Sequence, residues 1–360
     1  MEKILPINLN TNITTECWTF HKLAAILSDA KYRPWYLEKF INLTIVEDFR
    51  TMYYPQDTPE HYSIFDEVIE FKYFSTKDQI VSQVIEAINE NGYVLIDTDY
   101  YYMPHSAEYQ KSHYTHLIII YGYDNSSQAF HIVDLDKSYS WKKFKCPFSQ
   151  IEEAFYSRCD LLVSNKSKDY KLMSVYHLPA SSFFLKNTFS LKQPRIYRIY
   201  NEISGCLSGL ESKSIKPTLW DNITKVRRSG VSIYKSYCED LYNIVSEDST
   251  FLKNNFIPVL GLKALTECKI GLKLRLEYLV HNGIIKSFDS VIGSIDEICD
   301  LLVKCQSLVT NFSLTDNISC LERSMELLRQ CQEIDIKLLQ ETADILFDNI
   351  CGKLDDFLHI

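Results

Sequence analysis

Apolar residues in the first 100 positions recur at helical spacing in two stretches. Phe20, Leu23, Ala24 and Leu27 lie three or four residues apart after a polar start, which predicts a helix over residues 17–27. A second apolar stripe predicts a helix over residues 75–91. Gly92 follows it at the position of a left-handed C-terminal cap.

Strand patterns follow the second helix. Residues 93–97 are β-rich, and residues 116–121 and 129–134 are two further β-rich runs joined by a short polar turn. Two such runs predict an antiparallel hairpin. The first part of the chain is therefore predicted to mix α and β, with an antiparallel sheet.

Long helical patterns replace the strand patterns in the second half. They predict helices over residues 218–246, 250–281, 284–309 and 314–358, and short connections favour an all-α antiparallel bundle.

Composition changes at the same place. Of the 24 tyrosines, 20 lie at or before Tyr200, and eight of the ten glycines lie after residue 200. A chain of 360 residues is also long for one hydrophobic core. We therefore predict an α+β domain over residues 1–180, a linker over 181–210 and a helical bundle over 211–360.

Charge and cysteine usage exclude several classes of function. The net charge of −9 disfavours a nucleic-acid partner, and the longest apolar run is too short to span a membrane. Eleven cysteines without a CxxC pair predict reduced thiols and a cytoplasmic protein. The spacing of the histidines favours no metal site, and the scarcity of glycine before residue 200 excludes a Walker loop or dinucleotide fingerprint.

Cys17 is the candidate nucleophile. It lies in the first turn of the predicted helix, where unpaired N–H groups and the helix dipole favour a thiolate. It is also three residues before Phe20, so it projects from the buried edge of that helix.

The hairpin supplies a candidate base and a carboxylate. A three- or five-residue loop centred on Asn125 sets His116 directly opposite Asp134. A carboxylate beside an imidazole fixes the tautomer of that imidazole, which in turn activates a thiol. Cys17, His116 and Asp134 therefore form a candidate catalytic triad.

Other loops give other pairings. A four-residue loop would oppose His116 to Leu135, unless a bulge near Gly122 restores the register. A three-residue loop centred on Ser126 would bring Asp136 opposite His116 instead. Asp134 is the predicted partner and Asp136 the alternative.

Three segments together carry a resemblance to a known family. They are Glu16-Cys17-Trp18, the run from Tyr114 to Asp124 and the run from Phe130 to Asp134. Their order resembles a papain-like cysteine fold over residues 10–175. More narrowly, it is similar to the family named after the N-terminal domain of butirosin biosynthesis protein H, as is the Asp97-x-Asp99-Tyr-Tyr stretch. The closthioamide-type amide synthetases of thiotemplated assembly lines share the same papain-like set.

The resemblance implies ATP-independent acyl transfer in natural-product biosynthesis. An acyl group would leave the phosphopantetheine thioester of an acyl or peptidyl carrier protein, pass through Cys17 and reach an amine, with no further cofactor. Papain-like enzymes often place a glutamine six residues before the cysteine as an oxyanion donor. Here that residue is Thr11, and Asn12, Asn10 or the Cys17 N–H are the substitutes.

The remaining expectations concern substrate and partners. Asp97, Asp99, Tyr100 and Tyr101 are candidates for the pocket of a small amine, because carboxylates and tyrosine faces suit a cation. Two basic clusters, residues 137–145 and 225–228, are candidates for docking an acidic carrier protein. The bundle would cover the cleft, bind the carrier or form a homodimer. A leader-cleaving cysteine peptidase and an inactive papain-like scaffold are the alternative functions.

Overall fold

A computed structural model describes most of the chain. The described residues are 2–45, 51–53, 63–74, 76–164, 179–209, 211–214, 225–247, 252 and 256–358. Their strands are β1 (Glu2–Ile4), β2 (Leu43–Ile45), β3 (Thr51–Tyr53), β4 (Ile69–Tyr73), β5 (Tyr93–Asp99), β6 (Thr115–Asp124), β7 (Ala129–Leu135), β8 (Trp141–Pro147), β9 (Ala180–Leu185), β10 (Glu211–Ser214) and β11 (Lys225–Ser229). Their α-helices are α1 (Cys17–Ile26), α2 (Arg33–Leu37), α3 (Ile80–Asn89), α4 (Phe148–Ser164), α5 (Ile196–Ser208), α6 (Ile233–Glu247), α7 (Ile257–His281), α8 (Asp289–Thr315) and α9 (Ile318–Leu358).

The chain divides into two compact units that interleave in sequence. As far as they are described, the first contains residues 2–33 and 63–190, and the second contains residues 34–53, 191–214 and 225–358. Residues 34–53 thus cluster with the second unit, although the sequence pattern places them in the first domain. The segment 181–210, predicted as a linker, contains most of β9 and all of α5.

An antiparallel sheet forms the centre of the first unit. Its strand order is β4-β9-β5-β6-β7-β8, and β1 pairs with the far end of β6. Strand β5 lies between β9 and β6 and is buried along its whole length. The predicted mixed α and β fold with an antiparallel sheet is confirmed.

The cap after α3 differs from the sequence prediction. Asn91, not Gly92, takes the left-handed conformation, with φ of 68°. Gly92 serves close packing, because a Cβ there would lie 2.6 Å from the Phe184 ring. Asparagine tolerates this backbone better than other residues with a side chain, since its short polar group bonds locally.

The second unit combines a four-stranded sheet with the C-terminal helices. The sheet order is β10-β11-β2-β3. The predicted helix over 218–246 begins only at Ile233, because Lys225–Ser229 pairs as strand β11, and residues 218–221 lie outside the described residues. Helices α7, α8 and α9 match the other predicted helical stretches.

Buried charge occurs inside the helices of the second unit. Lys269 Nζ lies 2.7 and 2.6 Å from the two carboxylate oxygens of Asp335, and the Tyr234 hydroxyl donates to the same carboxylate. These three side chains are almost fully buried. Because a buried charge is stable only when paired, this cluster fixes how α6, α7 and α9 pack. Among the described helices, none is both long and apolar enough to cross a membrane.

Candidate active site

Cys17 is the first residue of α1 and is half-buried. Two of the next residues on this helix, Phe20 and Leu23, are fully buried. The Phe20 ring stacks on Trp141 at 4.3 Å, and Trp141 Nε1 donates to the carbonyl of Thr14 at 2.9 Å. Strand β8 thus holds both the helix and the residues just before it, which fixes the position of Cys17.

His116 is the second residue of β6 and pairs with Thr98 of β5. Its side chain forms a hydrogen bond with Cys17, and Trp141 stacks nearby with a centroid distance of 6.0 Å. The structure therefore brings together the predicted nucleophile and the predicted base.

Asp134 is not directly opposite His116, contrary to the sequence prediction. The hairpin loop has four residues, Asn125–Gln128, and Ile119 pairs with Val133. Continuing that register by one residue sets Asp134 opposite Ile118, two positions along β6 from His116. Residues two apart on a strand share a face, so Asp134 still points to the side of His116.

A β-bulge makes this possible. The register shifts between Ile120 and Gly122, which is the bulge that the sequence analysis left open as an alternative for a four-residue loop. Without that extra residue, the ladder that pairs Asp124 with Ala129 would continue and set Asp134 opposite Ile119. Asp134 would then point to the other face of the sheet, since a one-residue slip reverses every side chain.

The Asp134 carboxylate is fully buried and accepts hydrogen bonds from several groups. His116 Nδ1 lies 3.3 Å from Oδ1, and the Tyr100 hydroxyl donates to the same oxygen. His105 Nε2 lies 2.7 Å from Oδ2, and the backbone N–H of Leu135 donates to Oδ1 at 2.7 Å. The alternative partner, Asp136, instead accepts hydrogen bonds from residues 138 and 140 of its own turn.

The Tyr100 hydroxyl lies between the histidine and the carboxylate. Its oxygen is 2.5 Å from His116 Nδ1 while it donates to Asp134. Burial and the negative charge of Asp134 raise the pKa of Tyr100 far above its usual range, so the hydroxyl stays protonated. Tyr100 was predicted to bind substrate, but its hydroxyl is engaged with the two hairpin residues.

The pKa shifts of His116 and Asp134 favour the charged forms of both side chains. Burial alone would lower the pKa of His116, but hydrogen bonds to Asp134 and Cys17 outweigh it and raise the pKa to about 10. Burial would raise the pKa of Asp134, but hydrogen bonds from His105 and His116 lower it to about 2. At neutral pH the pair is therefore an imidazolium and a carboxylate.

The other predicted substrate-binding residues have different partners. Asp97 is buried and forms an ion pair with Arg158 of α4 at 3.3 Å. Asp99 accepts hydrogen bonds from Ser157 at 2.7 Å and from His113 at 2.6 Å, and Tyr101 stacks on His113. Alternation along β5 turns both carboxylates away from Thr98, the neighbour of His116.

A cavity of about 460 Å³ lies next to the hydrogen-bonded group of Asp99, His113 and Ser157. Its lining residues are Tyr102, Glu153, Tyr156, Ser157, Asp160 and Leu161. Ser157 links the cavity to Asp99, so the cavity adjoins the Asp97–Tyr102 segment but not His116 directly.

The predicted side-chain oxyanion donors, Asn10 and Asn12, lie just before α1 on either side of Thr11, which occupies the position of the papain-like glutamine. Thr11 is buried and donates to the carbonyl of Ile13 at 2.9 Å, which leaves its hydroxyl engaged within its own segment. Asn12 is half-buried in an irregular stretch five residues before Cys17, and its role stays a prediction.

Sequence patterns alone did not reveal His105 as part of the site. It lies in the loop between β5 and β6, where no periodic spacing relates it to Asp134. Tyr100 did carry a signal, because it is two residues beyond Thr98 and so continues the face of His116. Among the described residues, no group of three or more His, Cys, Asp or Glu side chains is arranged to hold a metal ion.

Residues 36–135 match the family model described as butirosin biosynthesis protein H, N-terminal. The matched stretch includes His105, His116 and Asp134 and excludes Cys17. No curated protein matches the chain.

Proposed function

We propose that the chain is a biosynthetic acyltransferase that forms amides, because residues 36–135 match the model of the butirosin biosynthesis protein H N-terminal family. The family description connects it with the biosynthesis of an antibiotic. The donor in this proposal is an acyl group on the phosphopantetheine thioester of a carrier protein, and the acceptor is a small amine. The first unit would act as a papain-like catalytic domain.

The observation that carries this proposal is the contact between a thiol and an imidazolium that is backed by a buried carboxylate. Cys17 and His116 share a hydrogen bond, and the pKa of His116 is raised to about 10 by Asp134 and Cys17. A thiolate and imidazolium pair is the resting form of a cysteine nucleophile, and its positive member can protonate a leaving group.

Acylation forms a thioester on the enzyme. The Cys17 thiolate attacks the carbonyl carbon of the carrier-bound acyl group, and the carbon–sulfur bond to phosphopantetheine breaks. His116 gives its Nε2 proton to the departing thiolate, and the Asp134 carboxylate holds the ring through Nδ1. Backbone N–H groups at the start of α1 are suited to stabilise the transient oxyanion.

Amide formation then releases the enzyme. The acceptor amine attacks the acyl-enzyme, neutral His116 takes the amine proton, and the bond to Cys17 breaks to restore the thiolate. Protons and leaving groups balance over the two steps. No ATP is consumed, because a thioester is converted to the more stable amide.

Docking of an acidic carrier protein would use the basic edge of the first sheet. Strand β8 is a terminal strand of that sheet, and Lys142, Lys143 and Lys145 on it are exposed. Lys145 already pairs with Asp124 at 2.7 Å, which leaves Lys142 and Lys143 as the better contacts for a carrier. In the other predicted basic cluster, residues 225–228, Arg228 forms an ion pair with Glu239 at 3.0 Å.

An acyl-enzyme experiment tests the proposed function. The protein is incubated with carrier proteins loaded with different acyl groups, and the acyl mass shift is mapped to a peptide. We expect the shift on Cys17 in the wild type and no shift in Cys17→Ala. Cys238→Ala is the matched control, since Cys238 is also half-buried but its pKa is raised by burial.

The same experiment separates the alternatives. Unchanged amide formation by Cys17→Ala would refute covalent catalysis by Cys17, and a wild type that neither forms amides nor cleaves peptides would favour the inactive scaffold. Cleavage of peptides without any acyl transfer would favour the peptidase.

A further inference from the structure

Two side chains outside the predicted triad contact its carboxylate. We propose that Tyr100 and His105 are positioning residues: the Tyr100 hydroxyl links Asp134 to His116, and His105 fixes the opposite oxygen of the carboxylate. This inference rests on the proposed use of the Cys17 and His116 pair in catalysis. It adds two contacts to that pair: the Tyr100 hydroxyl between Asp134 and His116, called the bridge, and His105 on the other carboxylate oxygen, called the anchor.

The bridge follows from the geometry of three atoms. The direct distance from His116 Nδ1 to Asp134 Oδ1 is 3.3 Å, longer than an ordinary charged hydrogen bond. The Tyr100 oxygen is 2.5 Å from Nδ1, and its proton is donated to Oδ1. A hydroxyl can donate to one partner while it accepts from another, so the stronger path from the carboxylate to the imidazole runs through Tyr100.

This bridge also fixes the tautomer of His116. A hydroxyl that donates its only proton to Asp134 can only accept from Nδ1, so Nδ1 carries a proton. The nitrogen left to exchange a proton with Cys17 is then Nε2, which both steps of the proposed reaction require.

The anchor is a second histidine on the same carboxylate. His105 Nε2 lies 2.7 Å from Asp134 Oδ2, and the His105 ring stacks on Phe144 with a centroid distance of 4.1 Å. Phe144 lies on β8, which pairs with the strand of Asp134. Because His105 is held from the neighbouring strand, it restricts rotation of the carboxylate and keeps Oδ1 toward Tyr100.

The surroundings contain few competing charges. His21, one turn after Cys17 on α1, is fully buried, and within the described part of the chain neither of its ring nitrogens has a hydrogen-bond partner. Burial and the nearby charge of His116 lower the pKa of His21 well below its usual value, so it stays neutral. The titratable groups coupled to His116 or Asp134 include Cys17, His21, Tyr100, His105 and Cys146, and exposed Lys142 lies directly opposite Asp134 on β8.

The test measures the reactivity of Cys17 without any acyl substrate. Alkylation by iodoacetamide is followed by peptide mass spectrometry between pH 5 and 10 in Tyr100→Phe, His105→Leu and His105→Gln. The matched controls are Tyr123→Phe and His131→Leu. The Tyr123 hydroxyl bonds Asn89, and His131 pairs with Glu2, so each control removes a similar contact elsewhere in the sheet.

We expect Tyr100→Phe and His105→Leu to slow alkylation of Cys17 at pH 6 by about 10- to 100-fold, the range for loss of a hydrogen bond to a charged group. The acid limb of the pH–rate profile for alkylation should move to higher pH, because the His116 imidazolium loses part of its stabilisation by Asp134. His105→Gln keeps a donor for Asp134 and should stay within about threefold of the wild type, as should both controls.

Wild-type pH profiles for Tyr100→Phe and His105→Leu would overturn the inference. So would equal losses in His105→Leu and His105→Gln, since the donor that Gln keeps for Asp134 would then have no effect and ring packing on Phe144 would explain the role. If Tyr100→Phe fails to fold, the comparison of the two His105 variants decides. If these losses appear while the wild type takes no acyl group from any carrier, the positioning roles stand and the proposed function fails.

Discussion

Replacing Asp134 with asparagine removes a buried charge while keeping the shape of the side chain. The pKa of Asp134 falls from 3.8 to about 2 on folding, which corresponds to about 2 kcal/mol of stability at 1.36 kcal/mol per pH unit. The pKa of His116 rises from 6.5 to about 10, which corresponds to about 5 kcal/mol. The larger value includes the contribution of Cys17, so about 2 kcal/mol is the share we assign to the carboxylate.

Asparagine also creates a mismatch of hydrogen-bond donors. In the wild type, Tyr100 and His105 each bond one oxygen of the Asp134 carboxylate. The asparagine NH2 group would replace one of these oxygens and would face either the Tyr100 or the His105 donor. A buried donor left without an acceptor costs about 1–3 kcal/mol. We therefore expect Asp134→Asn to destabilise the first unit by about 3–5 kcal/mol at pH 6, the range for breaking one side of a buried ion pair.

The pKa shifts of His116 and Asp134 determine how the destabilisation by Asp134→Asn changes with pH. The folded pKa of His116 is above its unfolded value, so its stabilisation is complete below pH 6.5 and is lost as the pH rises through about 10. The folded pKa of Asp134 is below its unfolded value, so its stabilisation is complete above pH 3.8 and is lost as the pH falls through about 2. The difference between wild type and Asp134→Asn should therefore shrink by about 2 kcal/mol between pH 6 and pH 10.5.

Pulsed hydrogen exchange at increasing urea, read on peptides from β6 and β7, measures the stability of this unit separately from the other. Wild type and variant are compared at the same pH. Asp136→Asn is the control, because Asp136 bonds only its own exposed turn in the contacts described for it. A destabilisation by Asp134→Asn that is the same at pH 6 and pH 10.5 would refute the imidazolium and carboxylate pair.

Two further predictions concern the packing of each unit. Asp335→Ala leaves the Lys269 ammonium buried without its carboxylate and should cost about 3–5 kcal/mol in urea unfolding, whereas the double variant with Lys269→Met should recover most of the loss. A double variant no more stable than Asp335→Ala would contradict this. Asn91→Ala should destabilise the end of α3 by about 1 kcal/mol, and Asn91→Gly should not, because φ is 68° there; equal melting temperatures of the two variants would argue against strain at this position.

Much of the site was readable from local pattern. The apolar spacing after Cys17 predicted α1, and the two β-rich runs predicted the hairpin that carries His116 and Asp134. Local patterns suffice here because helix and strand periods are set by a few neighbouring residues. The possibility of a bulge near Gly122 was also visible, because a glycine within a strand often marks one.

The sequence by itself determined the secondary structure around Cys17 and His116 and the antiparallel character of the sheet. Only the tertiary structure decided that a four-residue loop and a bulge together bring Asp134 to the face of His116, because register depends on pairing along the whole ladder. It also decided that the Tyr100 hydroxyl and His105 contact that carboxylate, and that residues 34–53 cluster with the second unit. These contacts join residues far apart in the chain, and local spacing carries no information about them.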